Sequence, residues 1–192
     1  MYKTMYHFIE ERTVSVFFAY LFPVIGITAF SKTVSLEIEE GFFEIYKSLP
    51  HNKAVSLISR FTANAVMLLI LIGLSVVMTN TFIVKTDMLF MMLAVIKPTF
   101  VLTSLALFFT CLTGNRFIGM LFPFLLWAEE LVFKAYLTKG LSLYADYMVK
   151  YRKDLYSYSI VINSVILYSA AAVLVAASVI LYKRQKFTNA IS

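Results

Sequence analysis

Long apolar runs separated by short polar ones set the pattern of this chain. Five stretches, 13–30, 61–83, 88–112, 117–137 and 159–182, are dominated by Leu, Ile, Val, Phe, Met and Ala. A helix rises ~1.5 Å per residue, so about 20 apolar residues cross ~30 Å of hydrocarbon. Each stretch reaches or approaches that length and reads as a span. Pro23 and Gly26 lie within the first, which predicts a kink. The links at 84–87 and 113–116 (TGNR) are short, so spans two, three and four are expected as antiparallel hairpins.

The one long polar interruption between spans in the first half is 31–60, SKTVSLEIEEGFFEIYKSLPHNKAVSLISR. On a helical wheel Val34, Ile38, Phe42, Ile45 and Tyr46 share one arc, and Glu37, Glu40, Glu44 and Lys47 the opposite one. The pattern predicts an amphipathic helix over 33–48, lying under the bilayer. Pro50 disfavours helix at Leu49 and lacks a donor, so the chain turns there. Ser48 or Asn52 can cap a second helix running into the next span. The expected elbow is helix, turn, helix, with Pro50, His51, Asn52 and Lys53 at its tip. Residues 138–158 show apolar positions at three- and four-residue spacing (Leu141, Tyr144, Met148, Tyr151, Leu155), and read as an interfacial helix with its tyrosines at the headgroups. Residues 1–12 read as a shorter interfacial segment.

Composition fits lipid as the solvent. The chain is 60% hydrophobic and 15% charged with a mean hydropathy of +0.81, whereas soluble domains are nearer a quarter charged. The expected class is an all-α polytopic membrane protein, a single transmembrane domain over 1–192 in the plasma membrane. The net charge of +6 follows from basic residues flanking spans. No basic cluster is interleaved with exposed aromatics away from the membrane, so a nucleic-acid partner is not expected. Taking the 183–192 tail, with Lys183, Arg184 and Lys186, as cytoplasmic puts 31–60 and TGNR inside. Residues 1–12, 84–87 and 138–158 then fall outside. An outer N-terminus leads to the expectation of either a further span ahead of Met1 or a shortened form.

Few residues offer chemistry. Cys111 is the one cysteine, which excludes an internal disulfide and a cysteine-built metal site. His7 and His51 are far apart, and no glycine run is followed by Lys-Ser or Lys-Thr as phosphate-loop binding of ATP needs. Charges inside the spans are more telling. Lys97 precedes Pro98 in the third span, and Glu129 and Glu130 lie in the fourth. A lone charge at the bilayer centre costs roughly 2.5–3.5 kcal/mol on insertion scales. Lys97 and Glu130 stand ~24 and ~21 Å from the TGNR turn along antiparallel helices, which puts them at similar depth. Lys97 is therefore expected to face Glu129 or Glu130, with Lys134, four residues after Glu130, as a competing partner. This set serves either as a polar path or latch, or as an ion pair that fixes helix register.

Glu39-x-Gly41-x-x-Glu44, followed by Pro50, Lys53 and Arg60, resembles the first cytoplasmic loop of type-2 ABC exporter permeases. The order of spans and the external segment before the last one are similar as well. Five spans stand here against the family's usual six, and the stretch before the glycine is more acidic than is common in the family. The resemblance implies that 31–60 carries the coupling helix that seats in a separate ATP-binding subunit. Glu40, Gly41, Glu44, Pro50, His51, Asn52 and Lys53 would be its coupling residues. It also implies a second permease copy or homologue as partner and no catalytic residue on this chain. No cofactor is expected here, because ATP and Mg would be bound by the partner ATPase. Oily, aromatic-rich spans suit an amphipathic peptide or antimicrobial cargo. Two other classes are an ion-gradient-driven transporter or channel, and a non-transporting membrane scaffold.

Overall fold

A computed structural model describes residues 2–39, 53–85, 87–132, 142–144 and 160–184. Among these the chain is helical, with five helices: α1 (Tyr2–Glu39), α2 (Lys53–Phe82), α3 (Met88–Thr113), α4 (Arg116–Val132) and α5 (Ile160–Arg184). Four contain segments long and apolar enough to cross a membrane: Thr13–Ser35, Ala54–Phe82, Met88–Thr113 and Ile162–Arg184. The protein is thus built as a helical membrane protein. The 17 residues of α4 span about 25 Å; the remainder of the expected fourth span, 133–137, lies outside the described residues.

Helix α3 is the hub. It packs against the other four helices, and 61% of its apolar stretch is buried, against 11% for both α2 and α5. Those outer helices present Met67, Ile70, Leu74, Val165 and Val173 at 56–67% exposure. Apolar surface on that scale needs hydrocarbon or another apolar surface around it.

Small side chains let the helices approach the hub. A Cβ on Gly26 of α1 would collide with the Thr103 methyl of α3 and lie 3.3 Å from Leu68 and 3.4 Å from the Thr99 methyl. A Cβ on Gly119 of α4 would overlap the Thr110 hydroxyl and sit 2.9 Å from its Cβ and 3.1 Å from its Cα. Close packing of this kind holds helices together in lipid, where no hydrophobic effect separates helix from solvent. The buried hydroxyls of α3 donate back to their own helix: Thr99 to Val95 O (2.7 Å), Ser104 to Phe100 O (2.7 Å) and Thr110 to Ala106 O (2.7 Å). They serve packing and leave no orphaned donor.

The turns are chemically specified. Asp87 caps α3 by accepting from Phe90 N–H (3.2 Å), and Gly114 ends it at φ 67°, its N–H donating to Thr110 O (2.8 Å). Asn115 then caps α4, its Oδ1 accepting from Phe117 N–H at 2.8 Å.

Two expectations differ from the structure. Residues 2–12, the first span and the start of the expected 33–48 helix form one helix through Glu39. The polar residues after Phe30 do not break it, because Ser31 donates to Thr28 O (3.1 Å) and Thr33 to Ala29 O (3.3 Å), while Val34 is fully buried. Residues 53–60, the second helix expected of the elbow, run without a break into the next span as the first part of α2. By contrast, 142–144 form no helix on the surface but a turn, in which Leu143 and Tyr144 are buried.

One end of the bundle is basic. Val34, Leu57, Leu107, Cys111 and Tyr182 form a small core that gathers the C-terminal parts of α1, α3 and α5 with the start of α2. Around that end lie Lys32, Arg60, Arg116, Lys183 and Arg184, whereas the α2–α3 turn at the opposite end has Lys85 and Asp87.

Candidate functional site

The sequence points to two regions, and the structure describes only one of them well. Of the elbow set, Glu40, Gly41, Glu44, Pro50, His51 and Asn52 lie outside the described residues. Lys53 is placed as the first residue of α2, although its side chain is not described. Lys134 also lies outside.

The intramembrane charges are described, and all are buried: Lys97 at 1% exposure, Glu129 at 8% and Glu130 at 2%. Helix register accounts for Lys97 and Glu130. Lys97 is on the same α3 segment that buries Ala94, Val95 and Leu102, so its stem runs through the hub of the bundle. Glu130 lies seven residues after buried Pro123 and eleven after buried Gly119, on the packed face of α4, whereas Glu129 follows exposed Leu125 by four residues and is buried near the described end of the helix. At 1–8% exposure these charges have little access to solvent, so their stability depends on neighbouring protein groups.

For Glu130 those neighbours are explicit. Its Oε2 accepts from the Ser142 hydroxyl (3.1 Å) and its Oε1 from the Leu143 N–H (3.0 Å). Ser142 Oγ in turn accepts from Tyr144 N–H (3.2 Å), while Ser142 O accepts from Asn163 Nδ2 of α5 at 2.9 Å. Tyr144 reaches across to α1, its hydroxyl donating to Ala19 O (3.3 Å), and its ring lies 4.7 Å from that of Tyr20. Tyr20 also meets Trp127 of α4 edge-on at 6.3 Å. One carboxylate thus anchors a three-residue turn that ties α1, α4 and α5 together at the end away from the basic residues.

This network was missed from the sequence, where Ser142 and Tyr144 both fall within the surface helix expected over 138–158. One signal was available: Asn163 is an amide inside the apolar run 159–182, and a buried amide in lipid needs partners. Its Nδ2 has one, while its Oδ1 is buried with no hydrogen-bond partner among the described residues. Among those residues no group of His, Cys, Asp and Glu could hold a metal ion.

A second feature is a cleft of about 570 Å³ between α1 and α2 at the basic end, lined by Ile25, Thr28, Ala29, Lys32, Thr33, Arg60, Ala63 and Asn64. Asn64 Nδ2 donates to Thr33 Oγ1 (2.9 Å) and so pins the two helices together there. Searches against protein families, characterised proteins and solved structures find no match to this chain.

Proposed function

We propose that this chain is the membrane-spanning permease subunit of an ATP-driven exporter, coupled through 31–60 to separate ATPase subunits and working with a second permease. One observation carries the reading. Residues 40–52 are joined on one side to α1, helical without interruption through Glu39, and on the other to α2, helical from Lys53. Whatever grips that segment pulls directly on two long helices, both of which pack against the hub. Rigid helices transmit a displacement that a slack loop would absorb. The basic end of the bundle lies on the same side, which on the positive-inside rule is the cytoplasm, where ATP is available. The cargo class that suits the apolar, aromatic-rich helices is an amphipathic peptide or antimicrobial.

Co-purification tests this. Gentle extraction of the tagged chain from its native membrane is expected to retain an ATP-hydrolysing subunit, and Pro50→Ala with His51→Ala to release it. Retention of a partner without ATPase activity would instead support a scaffold.

The buried charges favour a second reading in which an ion gradient drives transport through Lys97, Glu129 and Glu130. In the exporter reading Lys97 balances Glu129 or Glu130 inside the bundle, the pairing expected from their similar depth. Lys97→Met alone leaves a buried carboxylate uncompensated, a loss of about 3–5 kcal/mol for buried pairs. Lys97→Met with Glu129→Leu should recover most of the folded protein on size-exclusion chromatography. If Lys97→Met assembles normally but abolishes transport, and transport survives ATP depletion, the gradient-driven reading replaces the exporter.

A further inference from the structure

We propose that the cleft between α1 and α2 holds one anionic phospholipid, its phosphate between Lys32 and Arg60 and an acyl chain along Ile25, Ala29 and Ala63. The argument starts from position. Lys32 is close to the end of the apolar stretch Thr13–Ser35, and Arg60 is one and a half turns into Ala54–Phe82. Both cations therefore stand near the depth of the headgroups. They line one cavity although they come from different helices. Lys32 is exposed and Arg60 half-buried, so at least the ammonium is open to a ligand arriving from the lipid.

Shape and chemistry agree with that ligand. A volume of about 570 Å³ accommodates a headgroup with part of a chain, and is too large for a single bare ion. The wall is graded along α1, from apolar Ile25 through Thr28 and Ala29 to Lys32 and Thr33. A phospholipid has the same gradient, from chain through ester to phosphate. The Asn64–Thr33 hydrogen bond joins the two helices that wall the cleft. Lys32, exposed at the membrane surface, contributes about 1 kcal/mol toward an anionic lipid, roughly a fivefold preference over a zwitterionic one, and Arg60 adds to it.

The test uses the full chain in nanodiscs of phosphatidylcholine with a minor fraction of phosphatidylglycerol, read by native mass spectrometry. One phosphatidylglycerol per chain should be retained, and Lys32→Gln with Arg60→Gln should weaken its retention by about fivefold or more. Ala63→Trp keeps both charges but fills the cleft, and should also expel the lipid. Lys183→Gln with Arg184→Gln removes the same charge from the same end and should leave retention unchanged. Inorganic phosphate at millimolar concentration should not compete. The proposal is overturned if no phosphatidylglycerol is retained, as when the chain's own acidic stretch 37–44 fills the cleft. Equal weakening by the Lys183/Arg184 variant, which marks diffuse attraction, also overturns it, as does displacement by inorganic phosphate, which marks a free-anion site.

Discussion

Leucine at Gly119 should pull α4 off the hub and leave little folded protein in detergent. The helices meet there with no room for a side chain, because Thr110 occupies the space that even a Cβ would take. Thr110 cannot swing aside cheaply. Its hydroxyl is committed to Ala106 O at 2.7 Å, and its own Cβ and Cα also lie too close to the added atom. The helices must separate instead, and separation removes the close contact that holds them in lipid. Overpacking a well-packed interior costs about 1–3 kcal/mol, occasionally more. Gly119→Leu, with four added carbons against a helix backbone, should be at or above the top of that range, and Gly119→Ala inside it. Thermal unfolding followed by size-exclusion chromatography provides the measurement. Ile70→Ala on α2, where the side chain is 56% exposed, should shift the transition far less. Equal shifts at positions 119 and 70 would mean that α4 is not packed on α3 as described.

Glu130→Leu should loosen the opposite end by a comparable amount. The substitution removes the acceptor for both the Ser142 hydroxyl and the Leu143 N–H. A buried donor left unmatched costs about 1–3 kcal/mol; the Leu143 N–H is one, and the half-buried Ser142 hydroxyl loses its partner as well. The turn they hold carries Tyr144 to α1 and Ser142 O to Asn163, so the loss extends to three helices. Glu130→Gln should be milder, because one amide oxygen can still accept from Leu143. Trp127, the only tryptophan, stacks edge-on against Tyr20 and Phe124 beside this network and reports on it. Its emission should move to longer wavelength in Glu130→Leu and scarcely at all in Glu130→Gln. An unchanged spectrum in both variants would contradict the anchoring role.

Membrane character was legible in the sequence because lipid demands long apolar helices, and runs such as 61–83 and 159–182 meet that demand without tertiary help. The turn at 113–116 was legible for a local reason as well: Gly114 and Asn115 supply the two caps in adjacent positions. The continuity of α1 was hidden. Ser31, Lys32 and Thr33 look like a boundary, yet hydroxyls that bond their own helix carbonyls let it continue. The turn at 142–144 was hidden more deeply. Its three- and four-residue spacing is helical, and only a carboxylate twelve or thirteen residues away on another element overrides it. Burial of Lys97, Glu129 and Glu130 could be anticipated from their place in apolar runs, but the Ser142–Asn163 link depends on tertiary contacts that spacing does not encode.

Sidedness of the tip at 50–53 tests the proposed coupling most directly. The native thiol does not interfere, because Cys111 is fully buried in the core shared by α1, α2, α3 and α5 and should stay unlabelled until the protein unfolds. His51→Cys can therefore be probed in an otherwise wild-type chain with a membrane-impermeant maleimide. The account predicts no labelling in intact cells and full labelling in inside-out vesicles, with protection when the ATPase partner is bound. Labelling of His51→Cys from outside intact cells would put the tip beyond the reach of any cytoplasmic motor and contradict the proposal.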